Sequence, residues 1–238
     1  MMAANQTPRA PIDPAHHVGD AELLEHAVGA CDEAVSLAVA CHLAMCGACR
    51  AQMRRLDAIG GALLEAQAPG ELDANALETV LARLDEPRGA EDLARAPAAS
   101  VPILAGDGAL ARIDLPAPLR RRVARLAQAR WRYVAPGVRG IDLPVGSGTA
   151  KAQLLSLRPG LTIPRHDHGA LEVTLVLTGA LLDEDGRLAR GDVLFREPGQ
   201  RHRQNVEPGE DCVSLVVNAG SFVPLTWTGR LLRLIARP

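Results

Sequence analysis

Aromatic residues and long apolar runs are nearly absent from this 238-residue chain. Only 2% of the residues are aromatic although 47% are hydrophobic, so any core must be filled by Leu, Val, Ile and Ala. No apolar run reaches the roughly 18 residues that a membrane-spanning helix needs. Residues 1–17 contain neither a basic segment nor an apolar one, so we expect no signal peptide and a cytoplasmic protein.

Charge and cysteine are unevenly distributed. Residues 1–85 carry five arginines against twelve acidic residues, whereas the remainder carries 21 basic and 16 acidic residues. An acidic N-terminal part argues against nucleic-acid binding there and suits a basic protein partner, with a merely solvated surface as the alternative. Three of the five cysteines fall within 41–49, which indicates metal binding or thiol chemistry rather than a disulfide framework.

The sequence pattern predicts a helical domain followed by an all-β domain. The predicted domains are a helical unit over 1–85, an Ala-, Pro- and Gly-rich linker over 86–118 with a short strand near 101–106, and a β domain over 119–238. A basic helix starting at residue 119 leads into the β domain. Its apolar runs AQLLSL, LEVTLVL, DVLF and CVSLVV are separated by turn residues every 8–12 positions, which is typical of a sandwich or barrel.

Local signals divide the helical part further. Asp20 is expected to cap a first short helix, while Asp32 and Glu33 favour the start of a second, longer one. The Gly pair at 60–61 is expected to interrupt the pattern before a further amphipathic helix over residues 71–86.

A first cluster of metal-ligand residues lies in the N-terminal part. His42, Cys46 and Cys49 are spaced i, i+4 and i+7, so on one continuous helix they share a face. Two thiolates and an imidazole select tetrahedral zinc, and three ligands leave one position open. His17 is the best fourth candidate, with its neighbour His16 as the alternative. A closed site of this kind is structural and helps to fold a small domain.

Two other interpretations of these side chains compete with a zinc site. A redox-active C-x-x-C pair follows a strand in a βαβ unit, which is not found here, and cysteines can also simply fill a helical core. Cys31 and Cys41 are interpreted as buried small hydrophobes, and His26 as an exposed or satisfied histidine.

The order His17, then His42-x-x-x-Cys46-x-x-Cys49, in a small acidic helical domain resembles the zinc-binding anti-sigma domain. In that family four helices clamp a group IV (extracytoplasmic-function) sigma factor. The resemblance therefore implies a four-helix domain, a structural Zn²⁺ and a sigma-factor partner.

A second cluster of ligand residues lies about 120 positions further on, and no histidine falls between residues 43 and 165. His166, His168 and Glu172 have the same parity, so on one strand they point to one face, which inside a small barrel is the lumen. His202 follows a Pro-Gly turn and is expected to begin another strand and add a ligand from across the barrel. Three His and one Glu suit Zn²⁺, Mn²⁺, Fe²⁺ or Ni²⁺.

This second stretch is similar to the cupin family. The first cupin motif is met at five positions, which are Gly160, His166, His168, Glu172 and Gly179. The second motif is met at Gly191, Gly199 and His202 but not at Glu197, where proline is expected, or Val206, where asparagine is expected. The four candidate ligands are unaffected by these departures.

An anti-sigma domain followed by a cupin resembles the ChrR family of anti-sigma factors over nearly the whole chain. The resemblance implies a non-enzymatic transcription regulator that releases its sigma factor under singlet oxygen or organic hydroperoxide stress. The main alternative is a cupin metalloenzyme such as a dioxygenase, although Lys151 is the only lysine and the lumen offers few acid–base groups beyond the ligands. A DNA-binding regulator that uses the Arg-rich helix near 120–132 is the weakest interpretation, because no groove-reading motif accompanies that helix.

Overall fold

The structure is a computed structural model, and the residues that it describes are 12–84, 110, 113–126, 129–146, 148–219 and 222–224. Most of the predicted linker over 86–118, including the strand expected near 101–106, lies outside these residues.

Four helices form the N-terminal part of the described chain, namely α1 (Asp20–Ala27), α2 (Glu33–Met45), α3 (Gly47–Glu65) and α4 (Ala76–Leu84). Asp32 caps α2 as predicted, because its Oδ1 accepts the Ala34 N–H at 2.9 Å. The capping role predicted for Asp20 is wrong, since Gly19 occupies the cap position of α1. Asp20 instead lies in the first turn, where its charge complements the helix dipole.

The chain turns sharply at Cys46, between α2 and α3. Cys46 adopts an extended backbone, and the two helices are bent by 115° at this break. The predicted single helical face through His42, Cys46 and Cys49 is therefore wrong. The Cys46 thiol accepts the Cys49 N–H at 3.4 Å and so caps α3, which favours a new helix over continuation of the old one. No single described helix has the length and composition of a membrane span. The bent pair of α2 and α3 reaches them only when the two helices are taken together.

The glycine pair at 60–61 does not interrupt the helical pattern, contrary to the sequence prediction, because α3 continues to Glu65. Each glycine costs roughly 1 kcal/mol relative to alanine in a helix interior, and this cost is spread over a helix of 19 residues. Strong helix formers on both sides of the pair offset it.

A fifth helix, α5 (Ala117–Ala124), precedes the strands. The helix is shorter than the one predicted from residue 119, and it is not a free basic surface. Leu119 and Val123 are buried, and Arg122 forms an ion pair with Glu33 of α2 at 2.5 Å. Two of its sides thus serve packing and pairing within the chain, which argues against a groove-reading helix.

The described residues that follow form eleven strands: β1 (Arg132–Ala135), β2 (Val138–Leu143), β3 (Lys151–Leu157), β4 (Thr162–His168), β5 (Glu172–Thr178), β6 (Ala180–Asp183), β7 (Gly186–Ala189), β8 (Val193–Arg196), β9 (His202–Val206), β10 (Cys212–Asn218) and β11 (Phe222–Pro224). They form two sheets with the orders β1-β2-β3-β10-β5-β8 and β11-β4-β9-β6-β7, and every described pairing is antiparallel. The four apolar runs noted in the sequence are β3, β5, β8 and β10, so the prediction of an all-β domain is confirmed.

Helix α2 lies between the other helices and the larger sheet. It packs against α1, α3 and α5 and also against β5 and β10. Leu37, Ala38 and Val39 of α2 belong to the same buried cluster as Leu175 of β5 and Leu215 of β10. Because α2 covers this sheet, six of the seven residues of β5 are buried instead of alternate ones.

Candidate metal centres

The first ligand cluster is assembled at the junction of α2 and α3. The ligand atoms of His17, His42, Cys46 and Cys49 all lie within 4.8 Å of one another. His42 Nε2 is 3.2 Å from Cys49 Sγ, and His17 Nδ1 is 3.3 Å from Cys46 Sγ and 3.7 Å from Cys49 Sγ. Ligands around a tetrahedral zinc ion are separated by about 3.3–3.8 Å, given typical Zn–N and Zn–S bond lengths. The donor atoms therefore fit such an ion.

The surroundings of His42 fix its tautomer. Its Nδ1 is 2.8 Å from the carbonyl oxygen of Gly191, so Nδ1–H must donate and Nε2 carries a lone pair toward Cys49. Burial lowers the pKa of His42, which keeps the ring neutral. Burial also raises the pKa of the Cys49 thiol to about 11, so a thiolate at this position needs a bound cation.

His17 and His16, the two candidates for the fourth ligand of this cluster, have different surroundings. His17 faces the two thiols, whereas His16 Nδ1 lies 3.5 Å from a carboxylate oxygen of Asp192. The geometry thus groups His17, and not His16, with His42. His26 belongs to neither cluster, and its Nδ1 lies 3.0 Å from the hydroxyl of Ser36, as expected for a satisfied histidine.

The second ligand cluster lies between the two sheets. The ligand atoms of His166, His168, Glu172 and His202 also lie within 4.8 Å of one another, and all four residues are buried. His202 Nε2 lies 2.9 Å from the Nε2 atoms of both His166 and His168. Glu172 reaches His168 Nδ1 at 3.2 Å and His202 Nε2 at 3.8 Å.

Two details of the predicted arrangement are wrong. His166 and His168 lie on β4, but Glu172 begins β5 in the other sheet, so the three do not share one strand face. The chain crosses from one sheet to the other at residues 169–171, where parity along a strand has no meaning. His202 does begin a strand, as predicted. However, β9 is the hydrogen-bonded neighbour of β4, with His202 opposite His166, and does not lie across the barrel.

The donor chemistry of this cluster fits a cation. His166 Nδ1 donates to the Pro164 carbonyl oxygen at 2.9 Å, and His202 Nδ1 donates to the Asp183 carboxylate at 2.8 Å. Both Nε2 atoms therefore carry lone pairs, and they face each other at 2.9 Å. A shared metal ion would remove the repulsion between them.

Electrostatics keep these groups in a ligand form. Burial lowers the pKa values of His166 and His168 to about 4, so both rings are neutral near pH 7. Burial raises the pKa of Glu172 to about 7, and a bound cation would favour its ionised form.

Sequence reasoning missed the residues that support His202. Burial raises the pKa of Asp183, but its bonds to His202 and Arg196 outweigh this and hold that pKa far below its usual range. Arg196 binds Asp183 at 2.6 Å, and the Gln204 amide donates to the same carboxylate at 3.2 Å. The sequence pattern predicts the acidic segment at residues 183–186 only as a turn, and no local pattern marks Asp183 as a partner of a histidine 19 residues away.

The remaining cysteines differ in exposure. Cys41 and Cys212 are buried, and burial raises their thiol pKa values to about 12 and about 11, whereas Cys31 is only partly buried. The predicted burial of Cys31 is therefore only partly correct. Cys212 lies beside the Ser214 hydroxyl at 3.6 Å inside a core strand, where it packs as a buried side chain.

This difference predicts selective alkylation. At pH 8 and short reaction times, iodoacetamide should modify Cys31 and leave Cys41 and Cys212 unmodified in the native chain. A pKa near 11 lowers the thiolate fraction about a hundredfold relative to a free thiol, and burial adds a steric block. Peptide mass spectrometry measures the modification, with urea-unfolded protein as the control in which all three react. Rapid native modification of Cys212 would contradict the expectation.

The described chain joins a group of helices with a His₂Cys₂ cluster to a two-sheet barrel with a His₃Glu cluster. This combination defines a helical domain with metal-ligand side chains that is fused to a cupin. Residues 119–222 match the family described as the ChrR Cupin-like domain. The chain is 40% identical to the anti-sigma-E factor ChrR of Cereibacter sphaeroides, over 92% of this chain and 95% of that protein. It is also similar to the crystal structure of Rhodobacter sphaeroides SigE in complex with the anti-sigma ChrR. That match has a TM-score of 0.68 and 40% identity, and covers 85% of this chain and 98% of that one.

The chain belongs to the ChrR family of anti-sigma factors. It is therefore a regulatory protein and not an enzyme, which sets the dioxygenase alternative aside. The predicted family and the predicted fold, an anti-sigma helical domain followed by a cupin, are both confirmed.

Proposed function

We propose that the helices of this chain bind and inhibit a group IV sigma factor. The observation that carries the proposal is an apolar surface that no other described residue covers. On α4 the side chains of Leu77, Val80, Leu81 and Leu84 follow i, i+3, i+4 and i+7 spacing, which is one helical face, yet all four are exposed. The relative found in complex with SigE, which matches over 98% of its chain, supports a sigma factor as the partner.

A second group of exposed apolar residues lies on α3. Ile59, Leu63 and Leu64 are exposed in the half of α3 that is remote from the ligand cluster, where no residue is buried. Groups of exposed apolar side chains like these mark a protein–protein interface. We define the exposed apolar residues of α3 and α4 as the docking surface. The acidic charge of residues 1–85 favours a basic partner around it.

The double substitution Leu77→Asp with Leu81→Asp tests the docking surface. Each side chain is at least half exposed, at 70% and 50%, so neither aspartate removes a buried contact. Hot-spot leucines in an interface contribute about 2 kcal/mol or more each, so we expect affinity for the sigma factor to fall at least a hundredfold. Isothermal titration calorimetry with the purified sigma factor measures the loss.

Leu182→Asp is the matched control. Leu182 is an exposed leucine, at 43%, but lies on β6 of the barrel and outside the docking surface. This control should bind the sigma factor like the unmodified chain. Equal affinity of the α4 double variant and the control would refute the docking surface.

We propose that His17, His42, Cys46 and Cys49 bind Zn²⁺, which orders the helices that present the docking surface. The proposal is supported by donor atoms spaced as in a tetrahedral site and by a His42 tautomer that exposes Nε2. The ion ties the segment before α1 to the start of α3. A helical domain of under 90 residues depends strongly on such a tie.

We further propose that His166, His168, Glu172 and His202 bind Zn²⁺ or another divalent transition metal, and that this site governs release of the sigma factor under oxidative stress. The domain division that follows assigns sigma binding to residues 1–85, connection to 86–118 and sensing to 119–238. Singlet oxygen or an organic hydroperoxide would act by oxidising ligands or by delivering an oxidised small molecule. A buried site of three imidazoles and a carboxylate, held by further bonds to Asp183, supports a sensing role.

A further inference from the structure

The turn between β7 and β8 of the barrel, residues Arg190, Gly191 and Asp192, lies against the first ligand cluster. We name it the β7–β8 turn. Its Gly191 carbonyl oxygen accepts the Nδ1–H of His42 at 2.8 Å, in a buried contact between residues 149 positions apart. A ligand of the helical domain is thus oriented by the backbone of the other domain.

Asp192 of the same turn holds the segment that carries His17. Its side chain is buried, with 3% of the residue exposed, and its Oδ1 accepts the N–H groups of Ala15 at 2.7 Å and His16 at 2.8 Å. Its other oxygen accepts the Ala189 N–H at 2.7 Å, which anchors the carboxylate in the turn. The peptide just before His17 is therefore fixed by a barrel residue.

The fit between the turn and this segment also requires glycine. Gly191 has φ +96°, which side chains of L-residues rarely adopt. A Cβ at this position would also meet Ile12 Cγ2 at 2.7 Å and Pro14 Cγ at 3.0 Å. The N-terminal segment thus packs directly on the turn, in addition to its hydrogen bonds with Asp192.

We infer that the β7–β8 turn is an outer coordination shell for the helical metal site. It orients His42 through Gly191 and positions His17 through Asp192, so it holds two of the four proposed ligands. Outer-shell partners of metal ligands change metal affinity about 10–100-fold when they are removed. The metal affinity of the helical site therefore depends on contact with the barrel. This inference rests on the proposed zinc site.

The position of the turn gives the contact a regulatory meaning. The turn leads directly into β8, and Arg196 at the other end of β8 binds Asp183, which holds His202. Four residues of strand thus connect the outer shell of one cluster to the outer shell of the other. A displacement of β8 at the barrel site would act on both Gly191 and Asp192.

Cobalt titration of the full-length chain tests the inference. Co²⁺ bound by thiolates absorbs strongly through sulfur-to-metal charge transfer, and only the helical cluster contains cysteine, so this band reports that cluster alone. Asp192→Ala should weaken Co²⁺ binding at the thiolate site about 10–100-fold in competition with a chelator. Asp192→Asn, which keeps one acceptor oxygen, should show a smaller loss and faster metal release than the unmodified chain.

Glu207→Gln is the control, because it removes a partly exposed carboxylate that pairs with Arg187 on β7 and belongs to neither cluster. It should bind Co²⁺ like the unmodified chain. Metal retained by the barrel site shows that the barrel of each variant is folded. If Asp192→Ala loses the metal of the barrel site, Asp192→Asn decides the outcome. Affinities of both Asp192 variants within twofold of the unmodified chain would overturn the inference. Absence of the thiolate band in the unmodified chain would instead refute the proposed zinc site.

Discussion

Replacing Cys46 and Cys49 together by alanine is expected to empty the helical metal site and abolish sigma-factor binding. The substitution removes both thiolates, and structural zinc contributes apparent free energies of about 10–16 kcal/mol to small metal-dependent domains. Loss of the ion removes the tie between the segment before α1 and the start of α3, so the docking surface loses its support. We expect affinity for the sigma factor to fall more than about a thousandfold, equal to about 4 kcal/mol. Pull-down with quantification of bound metal measures both effects.

Cys31→Ala is the control for this experiment. Cys31 is a partly buried cysteine of the same domain and belongs to neither ligand cluster. Its removal should leave metal content and sigma binding unchanged. A metal-free Cys46/Cys49 variant that still inhibits the sigma factor would contradict the proposed role of zinc.

The second large effect is expected at the barrel site. Glu172→Ala combined with His202→Ala should remove metal from that site and abolish release of the sigma factor under oxidative stress, while inhibition without stress persists. Both side chains are buried in the cluster, and neither belongs to the docking surface. Coupling between distant sites is typically worth about 1–3 kcal/mol, which corresponds to about 5–150-fold in affinity, and this coupling should disappear. A sigma-dependent reporter with and without a singlet-oxygen generator measures the change.

The matched control is again Glu207→Gln, which removes one partly exposed carboxylate of the barrel. Cells with this variant should induce the reporter normally. Normal induction by the Glu172/His202 variant would show that the signal enters elsewhere. Constant reporter activity in the absence of stress would show that the barrel site also supports inhibition, against the proposed division of labour.

Much of the fold could be predicted because its signals are local. Asp32 marks the start of α2 by its own chemistry, and the apolar runs of β3, β5, β8 and β10 carry the period and length of strands. Both ligand clusters were also predictable as sets. Imidazole and thiolate side chains at ligand spacing have few other uses, and the structure brings each set within 4.8 Å.

The geometry of the clusters could not be predicted in the same way. The bend at Cys46 depends on a thiol that caps the next helix, and a periodicity argument cannot distinguish that from a continuous helix. Glu172 reaches its cluster from a different sheet, because the chain crosses over at 169–171. Asp183 and Asp192 act on histidines far away in the sequence, so only the folded chain reveals them.

The exposed leucines of α4 have a consequence for the amount of this protein that is produced. A helix with an exposed apolar face stays free of non-specific association only while another polypeptide covers that face. Chains made in surplus over that companion would adhere to one another or be degraded. The apolar side chains of a single short helix therefore require balanced production of the two molecules.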